Sequence, residues 1–381
     1  MILTNGQEKG LKIAVERYKN GEPYTVIAGY AGSGKSTLVS HIVDALNISP
    51  SDVCYVAYTG KAALVLKEKG CENSMTAHRL LYYSKERLDG TFEHIPRKSL
   101  EYHYKLIVVD EVSMLPEDMF DLLMSHCIHI IALGDPGQLP PIEGESKILA
   151  HPHVFLDEIV RQAQDSAIIR LSMDIREGSP LKLCRGSEVS IIPKSKINDA
   201  YYAGADQIIA AKNITRSNIN WNCRQIKFGT DIPHYPINGE KVICLKNYWD
   251  IISNQGDPTI NGMIGTLNNV KYKHGVYKYK DQMLADFIIG DNNQFKGLFM
   301  DYKIFTEGKQ TVNNDTWKEF IGMPKPLLFD YGYCITCHKG QGSEWDKVLV
   351  INEYMQGTDW KRWAYTAVTR ARQKLIMAVD Y

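Results

Sequence analysis

The chain has 381 residues, long enough for two or more domains with ordinary cores. Its 44 Lys and Arg balance 44 Asp and Glu, so no bulk positive field marks a polyanion partner and any such contact must rest on local charge. With 44 % hydrophobic residues and no apolar run long enough to span a bilayer, no membrane partner is expected; Asn5, Glu8 and Lys9 precede any apolar stretch and make no signal peptide, so a cytoplasmic location is expected.

Residues 24–28 read as a buried strand and 36–46 as a helix. Between them, Gly29-Tyr-Ala-Gly-Ser-Gly-Lys-Ser-Thr37 fits the phosphate-loop pattern G-x-x-x-x-G-K-[ST]. Gly29, Gly32 and Gly34 let the backbone curl so that its N–H groups and the helix N-terminus face phosphates. Lys35 would then reach the β- and γ-phosphates and Ser36 would ligate Mg²⁺, so ATP and magnesium are the expected ligands. A second strand is expected at 53–57. Between Tyr82 and Tyr104 short polar and aromatic segments surround Asp89-Gly90, a hairpin turn signal that predicts a small insertion.

The apolar run 106–109 ends in Asp110-Glu111, as a central parallel strand delivers acids at its carboxyl end. Asp110 would hold the metal through water, and Glu111 would orient the water that attacks the γ-phosphate. A fourth strand at 128–133 leads into Gly134-Asp-Pro-Gly-Gln-Leu-Pro-Pro141. Arg161, in Glu158-Ile-Val-Arg-Gln162, and Arg370 are the candidate cations opposite developing negative charge. Alternation of strands and helices predicts parallel α/β packing to about residue 155.

From about 156 a second α/β unit is expected, with helices near 165–177, 213–227 and 360–371 and strands near 207–211, 333–337, 347–351 and 374–379. It has no phosphate loop. Residues 237–327 interrupt it, rich in Gly, Asn, Tyr and Lys and alternating in period two near 271–280, which predicts a small inserted β-barrel. Asn261-Gly262 reads as a turn within it. Local basic charge exists at Lys361, Arg362, Arg370, Arg372 and Lys374. The eight cysteines are scattered, and Cys334-Ile-Thr-Cys337 lacks a second Cys or His pair at zinc spacing, so it reads as a strand and no structural zinc is expected.

Taken in order, these blocks resemble a superfamily 1 helicase of the B group, the RecD-like enzymes, over nearly the full length. Thr4-Asn-Gly-Gln7 resembles the adenine-reading Q motif, Gly29 to Thr37 motif I, Tyr58-Thr-Gly-Lys-Ala-Ala63 motif Ia and Thr76-Ala-His78-Arg-Leu-Leu81 motif Ib. Asp110 to Met114 resembles motif II, Gly134 to Pro141 motif III, Arg161-Gln162 a motif IV context, Thr336 to Glu344 motif V and Tyr365 to Ala371 motif VI. Tyr58 is a departure, since the family usually has proline there.

The resemblance implies two RecA-like parallel-sheet domains, the first at 1–81 and 105–155 with a hairpin insertion at 82–104, the second at 156–236 and 328–381 with an SH3-like barrel at 237–327. It implies nucleotide binding by Gln7, Gly32, Ser33, Gly34, Lys35, Ser36, Thr37, Gln341 and Glu344, with Gln138 coupling γ-phosphate occupancy to movement and Arg161 and Arg370 stabilising charge. Thr59, Lys61, Thr76, His78, His338 and Lys339 would line the nucleic-acid track. Phe92 would either split the duplex or pack the hairpin onto the body. The implied activity is 5′→3′ movement on single-stranded DNA and unwinding of duplex or forked DNA by a monomer. A single-strand-binding or replisome protein would be a partner, and a phage protein in a bacterial cytoplasm a possible source. An RNA-directed helicase and a nucleotide-gated switch that clamps nucleic acid without unwinding are the alternative readings.

Overall fold

Leu106-Ile-Val-Val109 is buried along its whole length. Side chains alternate across a strand, so a run with no polar position needs cover on both faces. In the computed structural model, which describes residues 3–86, 92–140, 148–160, 165–274, 281–290, 292–307, 326–354 and 359–380, that cover comes from helices on both sides of a parallel sheet. Two compact units are formed, Met1–Tyr83 with His94–Ile197 and Gly340–Tyr381, and Ser84–Glu93 with Asn198–Lys339.

In the first unit the sheet runs Ser74–Thr76, Val53–Ala57, Leu106–Val109, His129–Gly134, Tyr24–Gly29, Val154–Leu156, with every neighbouring pair parallel. Ile27, Leu106, Val108 and Ile131 meet Ala14 of helix Asn5–Lys19 and Leu38 and Ile42 of helix Lys35–Ala45. Val26, Ile107, Val109 and Ile130 face the opposite way, against Leu81 of helix Ala77–Leu81 and Phe120 and Leu123 of helix Glu117–Met124. The expected strands at 24–28, 53–57, 106–109 and 128–133 correspond to four of the six. The other two, at 74–76 and 154–156, are too short to carry a period.

The same unit holds a second strand set. Trp345–Ile351, Ala371–Val379 and Val189–Pro193 are parallel neighbours, and Cys184–Arg185 adds to the edge antiparallel. Helices Ala167–Glu177 and Trp360–Val368 lie with these strands. The last helix is shorter than the expected 360–371, because Ala371 already pairs with Trp345 as the start of the final strand.

In the second unit Gln207–Ala210 and Cys334–Thr336 pair in parallel, beside helix Asn213–Phe228. Cys337 opens a short helix and is not part of that strand. An antiparallel sheet follows in the order Asn293–Met300, Asp281–Ile289, Ile264–His274, Lys241–Cys244, Phe329–Tyr331. Its two ends meet through a bridge between Met300 and Leu327, where Leu327 N–H donates to Phe299 O at 2.8 Å and Asp301 N–H to Leu327 O at 2.9 Å. Asn261 and Gly262 form a turn, with Gly262 at φ +88° and Met263 N–H donating to Ile260 O at 3.1 Å. Tyr82–Glu86 and Phe92–Pro96 make a separate two-stranded sheet. Asp89-Gly90 lies outside the described residues, as does the side chain of Phe92.

Helix and antiparallel sheet of the second unit are joined by a fully buried ion pair, Arg224 Nε to Glu240 Oε1 at 2.7 Å. Arg224 also donates to Pro233 O and Tyr235 O, both at 2.9 Å, and stands 4.4 Å from the Tyr331 ring. Glu240 Oε2 accepts from Tyr333 OH at 2.9 Å. Burial raises the Glu240 pKa and the guanidinium works against that rise. Removing one partner strands the other charge in the interior. Arg224→Leu is therefore expected to cost about 3–5 kcal/mol in urea unfolding, and Arg224→Leu with Glu240→Leu to recover most of it. A single substitution as mild as the double one would mean that the pair carries little.

Candidate active site

Parallel strands end together, so the residues just past their carboxyl ends collect along one edge of the sheet. After Tyr24–Gly29 the chain turns through Gly32 at φ +79° and Gly34 at φ +75°, a left-handed backbone that glycine enters without strain, and helix Lys35–Ala45 begins. The open amides of that helix start and its dipole form an anion-binding corner. Lys35 Nζ donates to Gly29 O at 2.7 Å and Tyr30 O at 3.2 Å, holding its ammonium against the loop.

Gln7 is 3 % exposed and ties the first helix to this loop. Its backbone N–H donates to Thr4 Oγ1 at 3.2 Å while its Oε1 accepts from Thr4 N–H at 3.0 Å, a capping box. Its Nε2 donates to Ser33 O and Gly34 O at 3.2 and 3.3 Å.

Asp110 and Glu111 follow the central strand. Glu111 N–H donates to Asp110 Oδ1 at 3.0 Å, and Glu111 itself has φ +50° and ψ +48°, uncommon for a residue with a Cβ. Burial raises both carboxyls above their ordinary pKa, opposed chiefly by Lys35 at Asp110 and by Arg370 at Glu111. Arg370 Nη1 lies 3.8 Å from Glu111 Oε1, and the guanidinium also donates to Thr366 O, Thr369 Oγ1 and Ser343 O at 3.0, 3.1 and 3.4 Å. Those bonds aim the charge and leave its side chain 5 % exposed.

Lys35, Asp110, Glu111 and Arg370 line one cleft of about 520 Å³ together with Gly32, Gly34, Ser36, Thr37, Gln138 and Glu344, whereas Gln7 and Ser33 stand behind its lining. Among its residues, Glu111 Oε2 and Gln138 Oε1 are buried polar atoms without a hydrogen bond among the described residues. Open amides, two lysines, two arginines and the carboxylates of Asp110, Glu111, Asp135 and Glu344 around one cavity suit a polyphosphate with a divalent cation, for which the Ser36 hydroxyl and the Asp110 carboxylate offer oxygen donors of the right chemistry. Gln341 donates through Nε2 to Leu139 O at 3.0 Å, which leaves it bracing the loop after Gln138. Arg161 lies outside the described residues.

Of two further cations in the cleft, Arg372 stands out in the sequence only as local basic charge and Lys69 does not stand out at all. Lys69 and Arg372 bring further positive charge to the cleft, and Lys69 works with Lys35 against the rise of the Asp110 pKa. Lys69 follows helix Gly60–Glu68 at no motif spacing, and nothing in the linear order puts it near Asp110.

The expected nucleic-acid residues divide between the units. Thr59 and Thr76 cap helices, accepting from Ala62 N–H at 3.3 Å and Arg79 N–H at 3.2 Å. Lys61 Nζ stands 4.3 Å above the Trp345 ring, and the His78 ring lies 5.8 Å from Tyr58 and 6.0 Å from Tyr82. Gly342, at φ +69°, comes so close that a Cβ there would sit 2.8 Å from Ala62 Cβ. His338 and Lys339 belong to the second unit, where burial lowers the pKa of both.

Residues 3–189 match an AAA domain and residues 331–378 a UvrD-like helicase C-terminal domain. An ATP-dependent RecD2 DNA helicase of Deinococcus radiodurans is 26 % identical over 94 % of this chain and 47 % of its own length. The ATP-dependent DNA helicase dda of Enterobacteria phage T4 is 28 % identical over 46 % of this chain and 43 % of its own length. These matches span less than half of either relative. An uncharacterized protein of Acanthamoeba polyphaga mimivirus is 32 % identical over 93 % of this chain and 95 % of its own length. A Bacteroides Pif1 helicase in complex with ADP-AlF3 and ssDNA shares the fold at a TM-score of 0.56 and 17 % identity, covering 100 % of this chain and 93 % of that one. By the matched domains and relatives, and by the order of its motifs along a parallel-sheet core, the chain belongs to the superfamily 1B helicases, the RecD- and Dda-like group.

Proposed function

We propose that the chain is an ATP-dependent DNA helicase that moves 5′→3′ along single-stranded DNA and unwinds duplex or forked DNA. One observation carries this reading: Lys35, Ser36, Asp110, Glu111, Gln138 and Arg370, from separate segments, share a single cleft. The likeness to the Deinococcus and phage T4 proteins, both ATP-dependent DNA helicases, supports it.

In this reading the loop amides and Lys35 bind the β- and γ-phosphates, and Glu111 holds the attacking water in line. Ser36 and Asp110 hold magnesium, which when bound neutralises charge on the β- and γ-oxygens. Arg370 leaves its long contact with Glu111 to meet charge developing on the γ-phosphate, with Arg161 as a second cation. Gln138 reports γ-phosphate occupancy, and Gln341 and Glu344 link motif V to the nucleotide, so that each cycle moves the DNA-contacting residues Thr59, Lys61, Thr76, His78, His338 and Lys339.

The proposed division is a RecA-like domain at 1–81 and 105–155, a hairpin insertion at 82–104, a second RecA-like domain at 156–236 and 328–381, and an SH3-like barrel at 237–327. The Met300 to Leu327 bridge, which joins the two ends of the antiparallel sheet, supports the barrel. A monomer acting in the cytoplasm, with a single-strand-binding or replisome protein as partner, completes the proposal.

Single-stranded DNA is expected to stimulate ATP hydrolysis more than single-stranded RNA does. Lys35→Ala should reduce turnover by at least about 100-fold, and Glu111→Gln should keep ATP binding while slowing hydrolysis by about 10²–10⁴-fold. RNA-selective stimulation would move the assignment to an RNA-directed helicase, and slow turnover indifferent to both polymers to a nucleotide-gated switch. Strand displacement should need a 5′ overhang; displacement only from 3′ overhangs reverses the direction. Phe92→Ala should retain DNA-stimulated ATPase and lose unwinding, whereas loss of both would make Phe92 a packing residue.

A further inference from the structure

The hydroxyl of Tyr365, a side chain 1 % exposed in helix Trp360–Val368, stands between two segments of the cleft. It accepts from Ala31 N–H of the phosphate loop at 2.8 Å and donates to Asp135 Oδ2 at 2.7 Å. Asp135, 3 % exposed, uses its other oxygen to accept from Gly137 N–H at 2.9 Å, fixing the turn that presents Gln138. One residue on, Thr366 Oγ1 accepts from Leu139 N–H at 2.9 Å, and Thr366 O accepts from Arg370 Nε at 3.0 Å. A single phenol thereby joins the phosphate loop, the turn before Gln138 and the helix that aims Arg370.

The chemistry of the joint is directional. Burial first, then the neighbouring carboxylate, raises the Tyr365 pKa, so the hydroxyl keeps the proton it donates to Asp135. A bond from a hydroxyl to a buried carboxylate is charge-assisted and short, and it leaves the oxygen's lone pair for the Ala31 amide. Phenylalanine would fill the same volume but would strand a buried carboxylate oxygen and a loop N–H.

We infer that Tyr365 is a positioning residue for γ-phosphate transfer: its hydroxyl holds the phosphate loop, the Gln138 turn and the Arg370 helix in the one mutual arrangement that fits a transferring phosphoryl group. This inference rests on the hydrolase reading. Tyr365 touches no reacting atom in it; it acts through Ala31, Asp135 and Arg370.

The test compares wild type with Tyr365→Phe, in magnesium buffer without nucleic acid, for binding of ADP and of ADP with aluminium fluoride, alongside ATPase kinetics and thermal unfolding. The variant should bind ADP nearly as wild type does but lose about 100-fold in affinity for the aluminium fluoride complex. Its kcat should fall by a similar factor while KM for ATP changes little. Adding Asp135→Asn should bring little further loss, because both changes act on the same bond. Equal weakening of ADP and of the aluminium fluoride complex overturns the inference in favour of general loosening, as does an unchanged kcat. If Tyr365→Phe does not fold, Asp135→Asn alone is scored by the same ratio of affinities. Wild-type protein that does not prefer the aluminium fluoride complex over ADP would instead sink the hydrolase reading, and the positioning role with it.

Discussion

A parallel strand buried on both faces tolerates a polar side chain only where it is hydrogen-bonded, as Thr25 Oγ1 is to His129 Nε2 at 3.1 Å, and the first sheet is built from such strands. Tyr24–Gly29 is buried at every residue after the first, as is His129–Gly134, and Leu106–Val109 has no exposed position at all. Polar chemistry is thereby displaced beyond the strand ends, where the loop amides, Asp110-Glu111 and Asp135 are found. The strands share one direction, so these ends lie side by side without any further device. The cleft is a consequence of how the core is covered.

Cover on both faces also explains why the Asp110 and Glu111 carboxyls are raised above their ordinary pKa. Arg370 is nearly enclosed and Glu111 partly so, and both carboxylates follow directly on the interior that packs Val109 against Val56. In such surroundings a charge is tolerated when fixed dipoles and opposite charges are already aimed at it. Three hydrogen bonds orient Arg370 beyond its contact with Glu111, and the Glu111 backbone adopts a conformation that only a well-determined surround maintains. The second unit meets the same constraint differently, by spending Arg224 on Glu240 and two backbone carbonyls.

How far the sequence revealed this depends on which signals are local. Strands of four or more apolar residues between glycines and acids were legible in 24–28 and 106–109, and the phosphate loop follows the first directly. The edge strands Ser74–Thr76 and Val154–Leu156 were not, since three residues show no periodicity and their place is set by pairing with Tyr55 and Ile27. Val189–Pro193 escaped for a related reason: its five residues include a serine and a proline, and its parallel partner Ala371–Val379 lies far along the chain. At the cleft, residues inside a motif could be named, while Lys69 reaches the site only through tertiary packing. Tyr365 lay within a recognised block, yet its link to Ala31 spans 334 positions and no linear pattern encodes it.

The contact at Gly342 adds a mechanical property. With Ala62 Cβ so close to the Gly342 backbone, the loop after helix Cys337–Gly340 and the start of helix Gly60–Glu68 meet without an intervening side chain. Long side chains are compliant and absorb small shifts by changing rotamer; a backbone seated on a methyl group has no such slack. The two segments cannot move closer along their line of approach without one pushing the other. A methyl group added at residue 342 would act as a wedge, holding the two apart.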